Sequence, residues 1–383
     1  MESNNNRFEL IDSDERLNEL CQELYSEKFF ALDTEFVRTN TFYGQLGLIQ
    51  LCVAQTCYLI DPVKISDWEI FCKIFCEPTR TVILHSASED LNLLSTSLGI
   101  VPNYLFDSQV AGAFLGLGFS LSYQAMVQLI LGRHVEKDVT RSNWLARPLS
   151  QRQLQYAADD VYYLPALEEK LRKQLMLENK IDWFENECLS LIETCRGAED
   201  PSSWESSYSQ ISGSWKLELE NLECLQQLCY WRETQARQRN KPKSWIAKDS
   251  DLLAMSVIIG DSNYISIKKL MAETKIDKRF LVSDGEELIE KLSNSRYQLK
   301  PIEKDLLNYP LNSSARKILK QCQERVIEVA NRMSISPELL ARKRLLQKLV
   351  KGYEHSGFLV WPEEFSGWRK EVLTDSFTQI FSS

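Results

Sequence analysis

The chain is poor in the residues that soft-metal chemistry needs. Its 383 residues include only three histidines, His85, His134 and His355, and its ten cysteines never form a C-x-x-C pair. A zinc site of thiolates and imidazoles is therefore poorly supported, and any metal here has to be held by oxygen. The cysteines, among them Cys52, Cys57, Cys72, Cys76, Cys224 and Cys229, are scattered through apolar segments and read as buried reduced thiols. No run of 18 apolar residues occurs, which removes a membrane-spanning helix. The opening MESNNNRFELIDSDERL has no basic stretch followed by an apolar one, so no secretory signal is expected and the protein is placed in the cytoplasm. Positive charge is in deficit, with 45 Lys and Arg against 54 Asp and Glu, a net charge of -9. That balance excludes a protein that coats nucleic acid by bulk electrostatics. It leaves room for an enzyme whose metal ions reverse the sign of the field where substrate enters.

The length exceeds one ordinary core and predicts two or three domains. Strand patterns over Phe29 to Phe36, Leu46 to Ala54 and Thr56 to Asp61 come first, the last two close enough for a hairpin. Helical spacing follows from Trp68 to Phe75, then a short strand from Thr81 to His85 and an amphipathic helix from Glu89 to Leu98, stopped by Gly99. A helix over Leu121 to Leu131 ends at Gly132. Ser150 with Gln153 forms a capping box that opens another, which Pro165 kinks or breaks. These alternations imply a mixed α/β sheet covered by helices. Residues 196–214 turn to Ser, Gly and Pro and read as a linker. Beyond them strand signals fade into two helical modules.

Within the first strand, Asp33 and Glu35 share one face, about 6 to 7 Å apart. Like charges so placed in an apolar run call for something positive between them, and a divalent metal is the expectation. Asp90 opens the helix after the strand at 81–85. Tyr156, Asp159 and Asp160 lie on the capped helix, and both aspartates are within reach of the tyrosine, so spacing alone does not choose between them. Singly, each residue has an ordinary reading: Glu35 as strand-surface charge, Asp90 as a helix N-terminal acid, Tyr156 as a core aromatic. His85 reads as a structural hydrogen-bonding residue.

Together, LDTEF, LHSASEDL and QYAADDV resemble, in order, the three motifs of the DEDD family of 3′-to-5′ exonucleases. The Y-x-x-x-D spacing of Tyr156 and Asp160 is similar to that family's tyrosine branch and selects Asp160 over Asp159. The flanking RTNTFYGQLGLIQL and TRSNWLARPL, with the helical modules, resemble the ribonuclease D family, although Gly44 stands where that family usually has proline and Asn143 where it usually has aspartate. WRETQARQRNKPKSWIAKDSDL is close to the first helicase-and-ribonuclease-D C-terminal (HRDC) module, and ISPELLARKRLLQKLV more loosely resembles the second. The resemblance implies a ribonuclease H-like α/β exonuclease domain over residues 1–195, the linker at 196–214, a first HRDC-like helical domain over 215–295 and a second, more divergent one over 296–383.

It further implies metal-dependent release of 5′-mononucleotides from RNA 3′ ends, such as transfer RNA precursors, by a two-metal mechanism with Mg²⁺ or Mn²⁺. Asp33 would bridge both ions, Glu35 and Asp160 would hold the one bearing the attacking water, Asp90 would support the other, and Tyr156 would orient the water. A DNA 3′-to-5′ exonuclease and a non-catalytic RNA-binding scaffold are the alternatives. Lys137, Arg141, Arg147 and Trp144 are candidate RNA contacts ahead of the capped helix. Arg232, Arg237, Arg239, Lys241, Lys243 and Lys248 around Trp231 and Trp245 suggest a basic patch with aromatics. No long heptad pattern announces an oligomer, so a monomer is expected.

Overall fold

The computed structural model describes residues 8–136, 142–260, 266–273, 276, 278–294, 296–365 and 367–382. Six strands make one sheet: β1 (Phe8–Ile11), β2 (Phe29–Val37), β3 (Gln45–Val53), β4 (Thr56–Ile60), β5 (Thr81–Leu84) and β6 (Tyr104–Asp107), in the order β1-β4-β3-β2-β5-β6. β2, β3 and β4 form an antiparallel meander, while β1 on β4 and β5 and β6 beyond β2 pair in parallel. The mixed sheet expected from the sequence is present. Its first and last strands went unread there.

The helices of the sheet-bearing region are α1 (Asp14–Glu23), α2 (Glu69–Phe75), α3 (Ser88–Leu98), α4 (Ser108–Phe114), α5 (Tyr123–Leu131), α6 (Gln151–Tyr162), α7 (Leu164–Leu177) and α8 (Ile181–Gly197). The capping box of α6 is complete, with Ser150 accepting from the Gln153 amide while the Gln153 side chain accepts from the Ser150 amide. Tyr163 breaks the chain from α6 into α7, which carries Pro165 in its first turn, where its missing N–H costs nothing. Gly99 and Gly132 end α3 and α5 in left-handed conformation. The helical part contains α9 (Leu219–Gln238), α10 (Lys243–Ile246), α11 (Asp249–Gly260), α12 (Ile267–Glu273), α13 (Lys278–Asn294), α14 (Ser313–Met333), α15 (Pro337–Leu340), α16 (Lys343–Ser356) and α17 (Trp368–Phe381). Among the described residues no helix is long and apolar enough to cross a membrane.

Apolar burial does not follow the order of the chain. One hydrophobic core joins the sheet and α1 to α8 with α14 to α17, so the last helices complete the packing of the first domain. Trp368 stacks on Trp183 at 5.3 Å and packs against Phe114, and Arg369 forks onto the Glu187 carboxylate. The buried Lys180 ammonium donates to the carbonyls of Phe114 and Ser334, tying the two parts together. A second core is made by α9 to α13 with residues on either side of them, Tyr208 and Ile211 before and Leu307 after. Segment 201–216 folds as three short 3₁₀ turns whose Tyr208 and Ile211 are buried in that second core.

The first helical module meets the sheet domain around Asn240. Asn240 Oδ1 accepts the amides of Phe42 and Tyr43, both at 3.0 Å. Beside it the Arg237 guanidinium lies between the Phe42 and Trp204 rings, 4.5 and 3.8 Å from their centroids.

Candidate active site

Asp33 and Glu35 sit on β2 opposite Gln50 and Leu48 of antiparallel β3, just past residues 29–31, where β2 also pairs in parallel with β5. The β2–β3 register shifts between Glu35 and Phe36, which bends the strand where the carboxylates leave it. Asp90 lies in the first turn of α3, 8% exposed, and accepts a hydrogen bond from the Thr34 hydroxyl. Asp160 is on the inner face of α6, also 8% exposed, and its Oδ1 is buried without a hydrogen-bond partner. Tyr156, one turn earlier, lies against the Asp160 carboxylate. Asp159, by contrast, faces outward, where its carboxylate accepts from Gln155. The five residues singled out from the sequence thus come together from three elements.

The electrostatics are those of crowded, half-dry acids. Burial is the largest cause of every shift. It drives Asp33 well above the carboxylate range, helped by the charges of Asp90, Asp160 and Glu35. Glu35 rises to about 8 through burial and the charges of Asp160 and Asp90, Asp90 to about 7, and Asp160 to about 6. Burial and then the neighbouring Asp160 raise Tyr156 above the ordinary phenol range, so its hydroxyl keeps its proton at neutral pH. Among the described residues, no three His, Cys, Asp or Glu side chains are close enough as they stand to enclose a metal ion.

Asp107 at the end of β6 escaped notice in the sequence. Its carboxylate accepts four backbone amides: Gln109 and Val110, which caps α4, and Ser86 and Ala87, in the turn that launches α3. The first turn of α3 has no cap of its own, so a residue seventeen positions beyond Asp90 orders the backbone ahead of it. No spacing signal in YLFDSQV separates this aspartate from an ordinary helix cap. His85 is held at both ring nitrogens, 2.8 Å from Ser108 Oγ and 3.0 Å from the Leu121 carbonyl, as a structural residue would be.

Several expected RNA contacts are engaged elsewhere. Arg147 is bidentate on Asp61 at 2.6 Å and donates to the Gly47 and Trp144 carbonyls, so it fastens its own loop to the sheet. Trp144 is buried at 2% exposure, packed near Tyr156, and anchors that loop. Lys137 and Arg141 lie outside the described residues. The basic patch on the first helical module is corrected: Trp231 and Arg232 are buried, Arg232 pairs with Asp249, Arg237 and Lys243 share Glu233, and Arg239 pairs with Asp284. Lys241, Lys248 and Trp245 stay exposed. A cleft of about 660 Å³ is lined by Phe36, Arg38, Phe42, Glu89, Arg237 and Lys243; Phe36 and Glu89 adjoin Glu35 and Asp90 in sequence, but none of the five site residues lines it. A larger cavity of about 930 Å³, walled by α8 and α16, contains none of the five site residues.

Comparison with known proteins agrees with this fold. The family described as 3′-5′ exonuclease matches residues 8–176, the HRDC domain matches 221–260, and the C-terminal HRDC domain of ribonuclease D matches 314–377. Fold and sequence together define a 3′-to-5′ exonuclease with helical HRDC appendages. Ribonuclease D of Pseudomonas paraeruginosa is 33% identical over 374 residues, covering 97% of both chains. That of Escherichia coli is 31% identical over 385 residues, covering 97% of this chain and 98% of its own. The crystal structure of E. coli RNase D, described as an exoribonuclease involved in structured RNA processing, superposes with a TM-score of 0.83 at 30% identity over 98% of both chains. The chain belongs to the ribonuclease D family, and is an exoribonuclease of the 3′-to-5′ class.

Proposed function

We propose that Asp33, Glu35, Asp90 and Asp160 hold two divalent ions, Mg²⁺ or Mn²⁺, and that the enzyme removes 5′-mononucleotides one at a time from the 3′ end of structured RNA such as transfer RNA precursors. The observation that carries this reading is the crowding of four carboxylates from three elements, each raised by burial, with Asp160 Oδ1 left without a partner. Buried acids in such numbers are stable as anions only around positive charge, and an all-oxygen donor set suits hard ions that keep part of their water. When bound, such ions supply charge for the phosphate oxygens and lower the pKa of the attacking water. Asp33 and Glu35 are fixed by the sheet, and Thr34 orients Asp90, so three of the acids need little rearrangement. Tyr156, protonated, donates and positions rather than accepting a proton. The cleft along Phe36 and Glu89 offers a course for the single-stranded end.

Purified protein titrated with Mg²⁺ or Mn²⁺ should release mononucleotides from a 3′-hydroxyl RNA, and Asp33→Ala should abolish that release. Retention by the variant would sink the assignment. A matched DNA strand cleaved as well as RNA would favour a DNA exonuclease, and metal-dependent binding without turnover a scaffold. A transfer RNA precursor with a 3′ extension should be shortened faster than it is degraded through.

A further inference from the structure

β3 is buried without interruption from Gly47 to Val53, and Gln50 is the residue of that run with a polar amide. Gln50 is 0% exposed, and neither its Nε2 nor its Oε1 has a hydrogen-bond partner. An unpaired buried amide is a standing penalty, and leucine would fill the same space without it. The penalty lies at a particular address: in the β2–β3 ladder, Gln50 is the residue directly opposite Asp33. Directly opposed residues project from the same face of a sheet, with Cβ atoms about 4.5–5.5 Å apart. This face is the one α6 covers, since Cys57, which pairs with Cys52 two residues along from Gln50, donates to the Ala158 carbonyl of α6. The same helix brings Asp160 with its orphaned Oδ1. An unused donor thus lies opposite Asp33, whose Oδ1 already accepts the Thr34 amide at 2.9 Å, and on the face that carries the orphaned Asp160 oxygen.

We infer that Gln50 is a positioning residue for Asp33: when the site carries its ions and Asp33 is ionised, the Gln50 Nε2–H donates to the Asp33 carboxylate and fixes the direction its oxygens face. The inference rests on the metal reading above. Carboxylates that hold metal ions are commonly oriented by a hydrogen bond from a neighbouring group, and an ionised carboxylate is a stronger acceptor than a neutral one. The chain keeps a polar group unsatisfied in one state because it is needed in the other.

Gln50→Leu and Gln50→Met test this with three readouts: melting of the metal-free protein, Mn²⁺ affinity by calorimetry and electron paramagnetic resonance, and kcat against KM on an RNA oligonucleotide. Both variants should melt at or above the wild-type temperature without metal, since the unpaired amide is gone. Both should bind Mn²⁺ about 10- to 100-fold more weakly and lose kcat to a similar degree, with KM for RNA little changed. Unaltered Mn²⁺ affinity in both variants overturns the role of Gln50 while leaving the metal reading intact. Lower metal-free melting in both variants also overturns it, because the amide would then be serving the apo fold. A wild-type protein that binds no Mn²⁺ overturns both readings.

Discussion

Glu35 and Asp90, with folded pKa values of about 8 and 7, make the site a proton reservoir as well as a metal site. Carboxylates in the unfolded chain titrate near 4, so the folded site binds protons more tightly than the unfolded one. The stability this contributes is fully present below about pH 4 and is lost as pH rises through the folded values, with Asp160 titrating first at about 6. The metal-free protein should therefore melt at progressively lower temperature between pH 5 and pH 8 on this account. Divalent ions replace the protons, so the gain in melting temperature on adding Mg²⁺ should be small at pH 5 and large at pH 8. A gain that does not change with pH would contradict it. Tyr156→Phe keeps the ring against Trp144 and removes only the hydroxyl beside Asp160. Mononucleotide release should drop about 100-fold while the melting temperature changes little.

At the scale of elements, legibility depended on how local the signal was. The D-x-E pair on β2, the capping box of α6 and the glycine stops of α3 and α5 are written in contiguous residues, and each is found where the spacing put it. β1 and β6 are four residues each and are strands only because β4 and β5 lie alongside in parallel, a pairing that no local pattern states. The patch around Trp231 was misread for a related reason. The partner of Arg239 is Asp284, on a different helix, so the neutralisation of these charges is invisible along the chain. Asp107 was missed because its work on the α3 turn crosses from one strand to the next. Asp107→Ala should cost about 2 kcal/mol of stability in denaturant titration and lower activity about 10-fold through the displaced Asp90 helix. The β3–β4 hairpin turns through Ala54 and Gln55, both at positive φ, without the glycine or asparagine such turns favour. Replacing them with Asn and Gly should stabilise the protein by about 1 kcal/mol and leave turnover unchanged, because the turn is remote from the carboxylates.

For the whole molecule, the shared core matters more than the number of modules. A chain ending at residue 307 keeps the sheet, the site and the first helical module, yet it bares the surface that α14 to α17 cover around Phe114, Trp183 and Glu187. It should aggregate on size-exclusion chromatography or melt about 10 °C or more below the full chain, because a large apolar patch is exposed. A monodisperse fragment of wild-type melting temperature would show that the last helices are dispensable to the catalytic domain.

The bond between Glu187 and Arg369 joins residues 182 positions apart, and the packing around it is built from α17. Contacts of such sequence separation form late, since a long loop must close before they repay its entropy. On the ribosome, the sheet that carries Asp33 and Glu35 is made first and finished last. Its packing is complete only when α17 has emerged, so the nuclease should reach its working form only after that helix has been made.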